Sequence, residues 1–508
     1  MMTLADLSPI LIVAILAGIA LLYRIGIIIY RLFFHPLAKF PGPKLLAASS
    51  FPHAYYNWTQ GTWYRQVLDL HKSYGPIVRV APDRLAVDGS VAWEDVFGHK
   101  GNTRPEFPRQ PDFYRAGVER ENLLTADKPG HRRQRRLLSH AFSEAALYDQ
   151  QPLITRWVDL LIQRFHEHAI AKREFDAVQW YHFAAFDIIG DLTFGESFGC
   201  LQNSDMHPFV SLSVDNLRAD ALMRFFLFYK RAFSPLISLI SKSKIIQRRF
   251  QFMQQVEEKT RKRLDMGVQP DGRKDFMTYF LRHNDAKGMT SDEIAGNANA
   301  LILAGGGAIA TTLSALTYYL AQSPQARERL TDEIRGTFKT EADISMRTTA
   351  TLPYLHACLE ETMRVFPPAA ETPPRVSPGD FINGQYIPQG ATIAVYQWAT
   401  YHNEANFREP DSFIPERWLQ EDHPFHDPSF QTDNKASFKP FSHGPRNCIA
   451  KVLSYAEMRF IMARIIWNFD IELQPGWERF IDRALVFTVF IKQPLLVKLK
   501  PAKRATNA

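Results

Sequence analysis

The stretch of residues 441–450, FSHGPRNCIA, constrains this chain most, because a glycine, an arginine and a cysteine directly precede a helical pattern. Gly444 lets the backbone take angles closed to other residues and approach a flat surface. Arg446 offers a planar, permanently charged group that suits a carboxylate. Cys448 would lie near a helix N-terminus, where free N–H groups and the dipole favour a thiolate. A thiolate beside a flat anionic group predicts haem iron, with Arg446 on a propionate.

The alternative interpretation of Cys448 is a buried, inert cysteine that behaves as a small hydrophobe. The chain has three cysteines, and Cys200, Cys358 and Cys448 show neither paired nor zinc-type spacing. This predicts no disulfide framework and no structural zinc site, and it fits a reducing compartment. Because the glycine and the arginine stand in the same loop, the functional interpretation is favoured.

Length and composition predict one large globular unit. The chain has 508 residues, and no Gly/Ser linker, repeat or low-complexity tract divides it after residue 50. With 46% hydrophobic and 13% aromatic residues, the chain can bury a large core and a cofactor. The formal net charge of +7 is modest for this length and does not by itself suggest a nucleic acid partner.

The N-terminus carries an apolar run over residues 7–23, followed by Arg24 and a second apolar stretch to Tyr30. A bilayer span needs about 20 apolar residues, which the segment supplies if Arg24 reaches the interface. A cleaved signal peptide is the competing prediction, but the run is long and has no early basic region. The basic residues follow the run and favour a cytosolic main body: Arg24, Arg31, Lys39 and Lys44. We expect a membrane anchor over residues 1–31, a proline-rich hinge over 32–50 and a catalytic domain over 51–508.

Phe441, Gly444, Arg446 and Cys448 match the haem-binding signature of the cytochrome P450 family, and the tail that follows resembles fungal, microsomal members. The last signature position is usually Gly and is Ala450 here, which is also small. The resemblance covers nearly the whole chain, with motifs in the family's order. It implies a mainly α fold with a small β-rich lobe, the cytochrome P450 fold, behind an N-terminal transmembrane helix. It also implies haem b as cofactor and Cys448 as the axial ligand of its iron.

A Glu-Arg pair at helical spacing supports the resemblance. Glu361 and Arg364 lie three residues apart and share a helix face, and PERW at residues 415–418 follows downstream. Alone, such a pair is common on surface helices. Together with Arg417 it matches the family's buried structural triad, in which bidentate arginine-carboxylate contacts hold the cofactor loop.

Further propionate contacts are implied for His131, Arg135 and Arg375, which match family positions. His131 and Arg135 lie four residues apart in a basic helical stretch and share one face. A solvated basic surface is the general interpretation of such a charge run, and both interpretations can hold. We then expect Arg132 and Arg133 to point outward as a docking patch for an acidic electron-donor protein.

The segment of residues 295–320 has the pattern of a long apolar helix and contains three consecutive glycines at 305–307. Each glycine costs a helix interior about 1 kcal/mol relative to alanine, so a close approach or a distortion is expected there. Ala304 and Gly305 align with the AG motif of the family's helix that crosses the haem. This places Gly305 among the candidate catalytic positions.

The two positions that usually carry an acid and a threonine in this helix are Gly307 and Ala308, an atypical distal site. Thr311 and Thr312 follow one turn later, displaced by about 5 Å. Ordered water or a substrate hydroxyl could complete the proton relay, so that monooxygenation survives. The alternatives are rearrangement, dehydration or cyclisation at the iron, and peroxide-driven chemistry.

The resemblance implies an NADPH- and dioxygen-dependent monooxygenase that oxidises a lipophilic terpenoid, polyketide or alkaloid in a fungal secondary-metabolite pathway. The partner would be NADPH-cytochrome P450 reductase at the endoplasmic reticulum membrane, with single-pass topology and a cytosolic catalytic domain. Residues 369–374 and 486–490 should line an apolar pocket with Glu371, Thr372 and Thr488 as polar groups. A haem sensor or carrier without turnover is the alternative from another class.

Overall fold

The computed structural model describes residues 8–101, 104–114, 120–207, 217–229, 244–267, 272–284 and 288–502. The ends of the expected anchor and catalytic domain, residues 1–7 and 503–508, lie outside the described residues. Helices dominate the described chain. The longer ones are α1 (Pro9–Ile29), α2 (Trp63–Tyr74), α3 (Lys128–Leu138), α4 (Glu144–Ile170), α5 (Ala177–Phe194), α6 (Leu217–Phe228), α7 (Lys244–Asp265), α8 (Phe276–His283), α9 (Ser291–Gln322), α10 (Pro324–Thr337), α11 (Pro353–Val365) and α12 (Lys451–Asn468).

The strands form small sheets. They are β1 (Ile77–Ala81), β2 (Arg84–Val87), β3 (Phe175–Asp176), β4 (Arg375–Val376), β5 (Asp380–Ile382), β6 (Gln385–Ile387), β7 (Thr392–Val395), β8 (Phe469–Leu473), β9 (Leu485–Phe487), β10 (Val489–Ile491) and β11 (Leu496–Pro501). One sheet has the order β1-β2-β7-β4, with β2 and β7 parallel, and another has the order β3-β11-β8. Two antiparallel pairs, β5-β6 and β9-β10, complete the β structure.

Helix α9 crosses the core and packs closely on α5. Its N-terminus is closed by a capping box between Thr290 and Glu293, which satisfies backbone donors that the first turn leaves unpaired. A Cβ at Gly305 would lie 2.9 Å from Cγ1 of Ile189, and one at Gly306 would lie 2.5 Å from the Phe186 ring. Glycines at these positions therefore let α9 approach α5.

Helix α1 is exposed and apolar. The candidate membrane span Ile10–Phe34 has a mean hydropathy of 2.5, and none of it is buried against the protein. Arg31 joins this segment to the globular part, because its Nη1 donates to the carbonyl of Ala48 at 2.8 Å and its own carbonyl accepts from Arg79. The second helix of sufficient length and hydropathy is α9, which is largely buried.

Glu361 lies at the centre of a fully buried ion-pair network. Arg364 holds it with two contacts, Nε to Oε2 at 2.8 Å and Nη2 to Oε1 at 2.7 Å. Arg417 Nε adds a contact to Oε1 at 3.1 Å and also pairs with Asp433 through Nη1. Trp418 Nε1 donates to Glu361 Oε2 at 2.8 Å. Two buried carboxylates, Glu361 and Asp433, thus compensate two arginines that water cannot reach.

We expect Glu361→Ala to destabilise the protein by about 3–5 kcal/mol, because the buried Arg364 loses its carboxylate partner and Arg417 keeps only Asp433. The control is Glu167→Ala, which removes an exposed partner of Arg164 in the same helix and should cost less than about 1 kcal/mol. The measurement is the free energy of unfolding, obtained from denaturation monitored by circular dichroism. Equal losses in both variants would contradict this account.

Candidate active site

The cysteine loop is built from one tight turn and the start of a helix. Gly444–Arg446 forms a 3-10 turn, and the Cys448 amide closes the loop by donating to the carbonyl of Phe441 at 2.9 Å. Helix α12 then begins at Lys451. The predicted position of Cys448 next to a helix N-terminus is therefore what the structure shows.

Gly444 has a φ of +74° and packs directly on the backbone of Phe97. A Cβ at this position would overlap the carbonyl oxygen of Phe97. Only glycine combines this left-handed conformation with such close backbone contact.

The Cys448 side chain is accessible, although the surrounding protein buries it enough to raise the pKa of its thiol. The Ala450 N–H and the charges of Arg135 and Lys451 offset this increase only in part. In the polypeptide alone, burial outweighs the helix N-terminus, contrary to the sequence-based expectation. A bound metal cation would reverse this balance, since a coordinating thiol loses its proton.

Positive charges gather around His131, which is buried. Burial and the charges of Arg446, Arg109, Arg135 and Arg375 lower the pKa of His131 to about 3, so the imidazole is neutral at physiological pH. The structure therefore brings the four predicted propionate contacts together and adds Arg109. We call these four arginines and His131 the basic cluster.

Arg109 was not among the predicted site residues. An isolated antiparallel bridge joins Arg109 to Arg375, and its Nη1 donates to the carbonyl of Leu123 at 2.8 Å. It belongs to a Pro- and charge-rich, irregular stretch without helical or strand periodicity. No local pattern could have placed it beside Arg375, which is far away in the chain.

The basic cluster also contacts the cysteine loop. Arg135 donates through Nη1 to the carbonyl of Asn447 at 2.7 Å and through Nη2 to its Oδ1 at 2.5 Å. Arg446 Nη1 donates to the carbonyl of Ala126 at 3.3 Å. Several arginines in a partly buried place repel one another unless an anion lies between them. A haem group, with its two carboxylates and an iron for a thiolate, fits this donor set.

A chain of contacts connects the cysteine loop with the Glu361 network. Arg364 Nη1 donates to the carbonyl of Tyr401 at 3.0 Å, and the Tyr401 hydroxyl accepts from the Lys439 amide at 3.0 Å. Between them, the Phe438 ring lies 5.0 Å from the Tyr401 ring and 4.6 Å from the Trp418 ring. The network therefore positions the segment that enters the loop.

Helix α9 presents an accessible face in an otherwise mostly buried helix. Ala304 and Ala308 are exposed and lie one turn apart, and a Cβ at Gly307 would meet no atom within 4 Å. Gly305 instead points to Ile189 of α5, so its place in the structure is a packing contact rather than this face. The face carries neither a carboxylate nor a hydroxyl at Gly307 and Ala308.

The two threonines of the next turn bond to their own helix. Thr311 Oγ1 donates to the carbonyl of Gly307 at 2.7 Å, and Thr312 Oγ1 donates to the carbonyl of Ala308 at 3.1 Å. Such bonds to the carbonyl four residues back are common for threonine in helices. Both hydroxyls lie one turn beyond the expected acid and threonine positions.

The predicted pocket segments meet near α9. Ala370 from one segment and Val486 and Phe490 from the other belong to a buried cluster that includes Ala315 of α9. Burial raises the pKa of Glu371 to about 7. Thr372 is buried, and its hydroxyl accepts from the Val395 amide.

The predicted docking patch needs one correction. Arg132 is exposed, as expected. Arg133 instead reaches the start of α9, where Nη1 donates to Glu293 Oε2 at 2.9 Å and to the carbonyl of Gly288 at 2.6 Å. A carboxylate at that helix start attracts the guanidinium away from solvent.

Comparisons with known proteins agree with these features. The family model described as cytochrome P450 matches residues 51–500. The chain is 38% identical to the cytochrome P450 monooxygenase cpaH of Aspergillus oryzae, over 96% of this chain and 93% of that protein. It is 37% identical to averantin hydroxylase of Dothistroma septosporum, over 95% of this chain and 90% of the relative. It is also 36% identical to trichothecene C-15 hydroxylase of Fusarium sporotrichioides, over 96% of this chain and 98% of the relative.

The matches span nearly the whole chain, and they confirm the predicted fold class, the haem-thiolate cofactor and the monooxygenase activity. Family members generally take electrons from redox partners and act on lipophilic substrates. The relatives lend no support to rearrangement, dehydration, cyclisation or peroxide-driven chemistry. This chain belongs to the cytochrome P450 family of haem-thiolate monooxygenases.

Proposed function

We propose that this monooxygenase inserts oxygen into a sizeable, mostly hydrophobic metabolite of a fungal secondary pathway, such as a terpenoid, polyketide or alkaloid. The accessible Cys448 thiol, whose pKa the surrounding protein still raises by burial, is the observation that carries the site. Two relatives are hydroxylases by name, of averantin and at C-15 of a trichothecene. The apolar cluster of Ala370, Val486 and Phe490 next to α9 suits a substrate of this kind.

In this proposal Cys448 ligates the haem iron, and Gly444 lets the loop backbone lie close to the cofactor plane. The basic cluster holds the propionates: Arg446, Arg135, Arg375, His131 and the additional Arg109. Phe441 packs at a ring distance of 5.0 Å on Tyr455 and covers the loop. When bound, the haem supplies the activation of dioxygen.

The neutral His131 can donate a hydrogen bond to a propionate but adds no charge, because its pKa is about 3. The arginines of the basic cluster then neutralise the charge of the propionates. The Glu361 network has no part in the chemistry. It keeps Phe438 and Lys439, and through them the cysteine loop, in one position.

The remaining assignments concern the membrane and the electron donor. We place a membrane anchor at residues 1–31, a hinge at 32–50 and the catalytic domain at 51–508, with single-pass topology in the endoplasmic reticulum membrane. The exposed apolar span of α1 and the basic residues that follow it support this orientation. NADPH-cytochrome P450 reductase is the proposed partner, and exposed Arg132 offers it a positive charge.

The proposed reaction is tested by incubating the membrane-bound holoenzyme with reductase, NADPH, extracted host metabolites and labelled dioxygen. We expect a new product that carries one labelled oxygen atom and requires NADPH. A product without label would overturn oxygenation, and so would NADPH consumption that leaves every metabolite unchanged.

We expect Cys448→Ala to abolish the thiolate-type absorption spectrum of the reduced carbon monoxide complex, because no other thiolate would reach the iron. Cys358→Ala is the matched control, since Cys358 is buried in the core of α11 and its thiol pKa is raised well above the usual value. The control should keep the spectrum. An unchanged spectrum in Cys448→Ala would refute the ligand assignment.

Gly444→Ala should also remove bound haem, because its Cβ would collide with the Phe97 carbonyl and force the loop to move. Gly476→Ala has the same kind of backbone cost, with a φ of +93°, but meets no atom within 4 Å. Haem content per protein is the measurement. We expect it to decrease in the first variant only, and full haem retention in Gly444→Ala would disprove this packing argument.

A further inference from the structure

A lysine from the C-terminal β structure reaches the distal helix. Lys492, which directly follows β10, donates through Nζ to Oγ1 of Thr311 in α9 at 2.8 Å. The Thr311 hydroxyl in turn donates to the carbonyl of Gly307 at 2.7 Å. Two consecutive hydrogen bonds therefore connect an ammonium group with the backbone carbonyl of Gly307, the position that lacks the usual carboxylate side chain.

Thr311 lies at the buried end of the accessible face of α9. Ala304, Ala308 and Thr311 have the spacing i, i+4 and i+7, which places them on one side of a helix. Ala304 and Ala308 are exposed, and the space next to Gly307 is open to at least 4 Å from a Cβ. Thr311 itself is buried at the end of this face. Thr311 thus contacts Lys492 and lies three residues after the exposed Ala308.

The surroundings of Lys492 suit proton transfer. Burial lowers the pKa of its ammonium to about 8, and the carboxylate of Asp176 in β3 opposes this shift. The neighbouring imidazole of His182 in α5 is neutral, because burial and Lys492 lower its pKa to about 3. An ammonium that titrates near neutral pH can both release and regain a proton, as general acids in enzymes do.

We propose that Lys492 supplies protons to the distal side of the active site through Thr311, in place of the acid and threonine absent at Gly307 and Ala308. The inference rests on the proposed monooxygenase function. An N–H bond of the Lys492 ammonium breaks and an O–H bond forms at Thr311 Oγ1. The original Thr311 hydroxyl turns from the carbonyl of Gly307 to a water molecule beside that residue, and its O–H bond breaks as the proton passes to the water. The neutral amine then takes one proton from solvent, so each cycle transfers one proton. Lys492 acts here as a positioning and proton-supplying residue that does not touch the cofactor.

The first test measures NADPH oxidation by holoenzyme and reductase without added substrate, together with hydrogen peroxide and water formation. In Lys492→Met and Thr311→Val we expect water formation to slow about tenfold, with more electrons recovered as peroxide. The loss stays below the ~100-fold typical of a missing general acid, because ordered water carries residual protons. Thr312→Val is the matched control and should behave as wild type, since the Thr312 hydroxyl bonds only to the carbonyl of Ala308 among the described contacts.

Lys492→Arg separates proton supply from a structural contact. Arginine keeps the positive charge and can donate to Thr311, but it does not release its proton in proteins. We expect the Arg variant to resemble Lys492→Met, with a flat pH profile. Wild-type water formation should decline as the pH rises through about 8, as the ammonium is lost. Wild-type behaviour of Lys492→Arg would overturn the inference.

A second measurement does not depend on turnover. Because the folded-state pKa of Lys492 lies below its usual 10.5, the unfolded chain binds more protons between about pH 8 and 10.5. The stability of wild type relative to Lys492→Met should therefore increase with pH across this range, while Lys492→Arg shows no such increase. A pH-independent difference in melting temperature would overturn the inference. Wild-type holoenzyme that oxidises no NADPH would instead refute the proposed function, and the proton route with it.

Discussion

The buried carboxylate of Glu361 makes the ion pairs on which the position of the cysteine loop depends. It compensates Arg364 and Arg417 where water cannot, and each arginine also holds backbone carbonyls of distant segments. Tyr401 and Phe438 connect this network with the segment that leads into the cysteine loop. Two arginines that share Glu361, one of them also held by Asp433, have few alternative arrangements at low dielectric, so the network favours a single loop position. A fixed loop can then keep the Cys448 thiol accessible.

The position of helix α9 against α5 depends on close packing. Gly305 and Gly306 bring α9 against α5, while Gly307 meets open space and contributes nothing to that packing. Two of the three glycines are therefore explained by helix contact, and the third marks the place where the family's acid is missing. Lys492 reaches this helix from the last hairpin and ends on Thr311. Gly307, Ala308 and Thr311 lie within one turn of α9, so the proposal for Lys492 concerns proton supply rather than the fold.

Electrostatics link the two sides. The basic cluster gathers four arginines around one imidazole, and the imidazole stays neutral because burial and those charges oppose its protonation. Such a cluster is stable next to carboxylates and unfavourable without them. On the substrate side, Glu371 has a pKa of about 7, raised by burial, so its charge changes near physiological pH. The interior is thus polarised at the cofactor rim and largely apolar where the substrate is proposed to lie.

The sequence by itself determined the family, the cysteine loop, the triad and the missing distal acid, because each depends on residue types at fixed short spacings. The apolar N-terminal helix also follows from the local sequence. Only the tertiary structure decided that Arg109 joins the basic cluster, that Arg133 turns to Glu293, and that Lys492 meets Thr311 from 181 residues away. The partners of long, flexible side chains cannot be predicted from the periodicity of the sequence. Their contacts depend on how helices and strands pack in space, which local patterns do not encode.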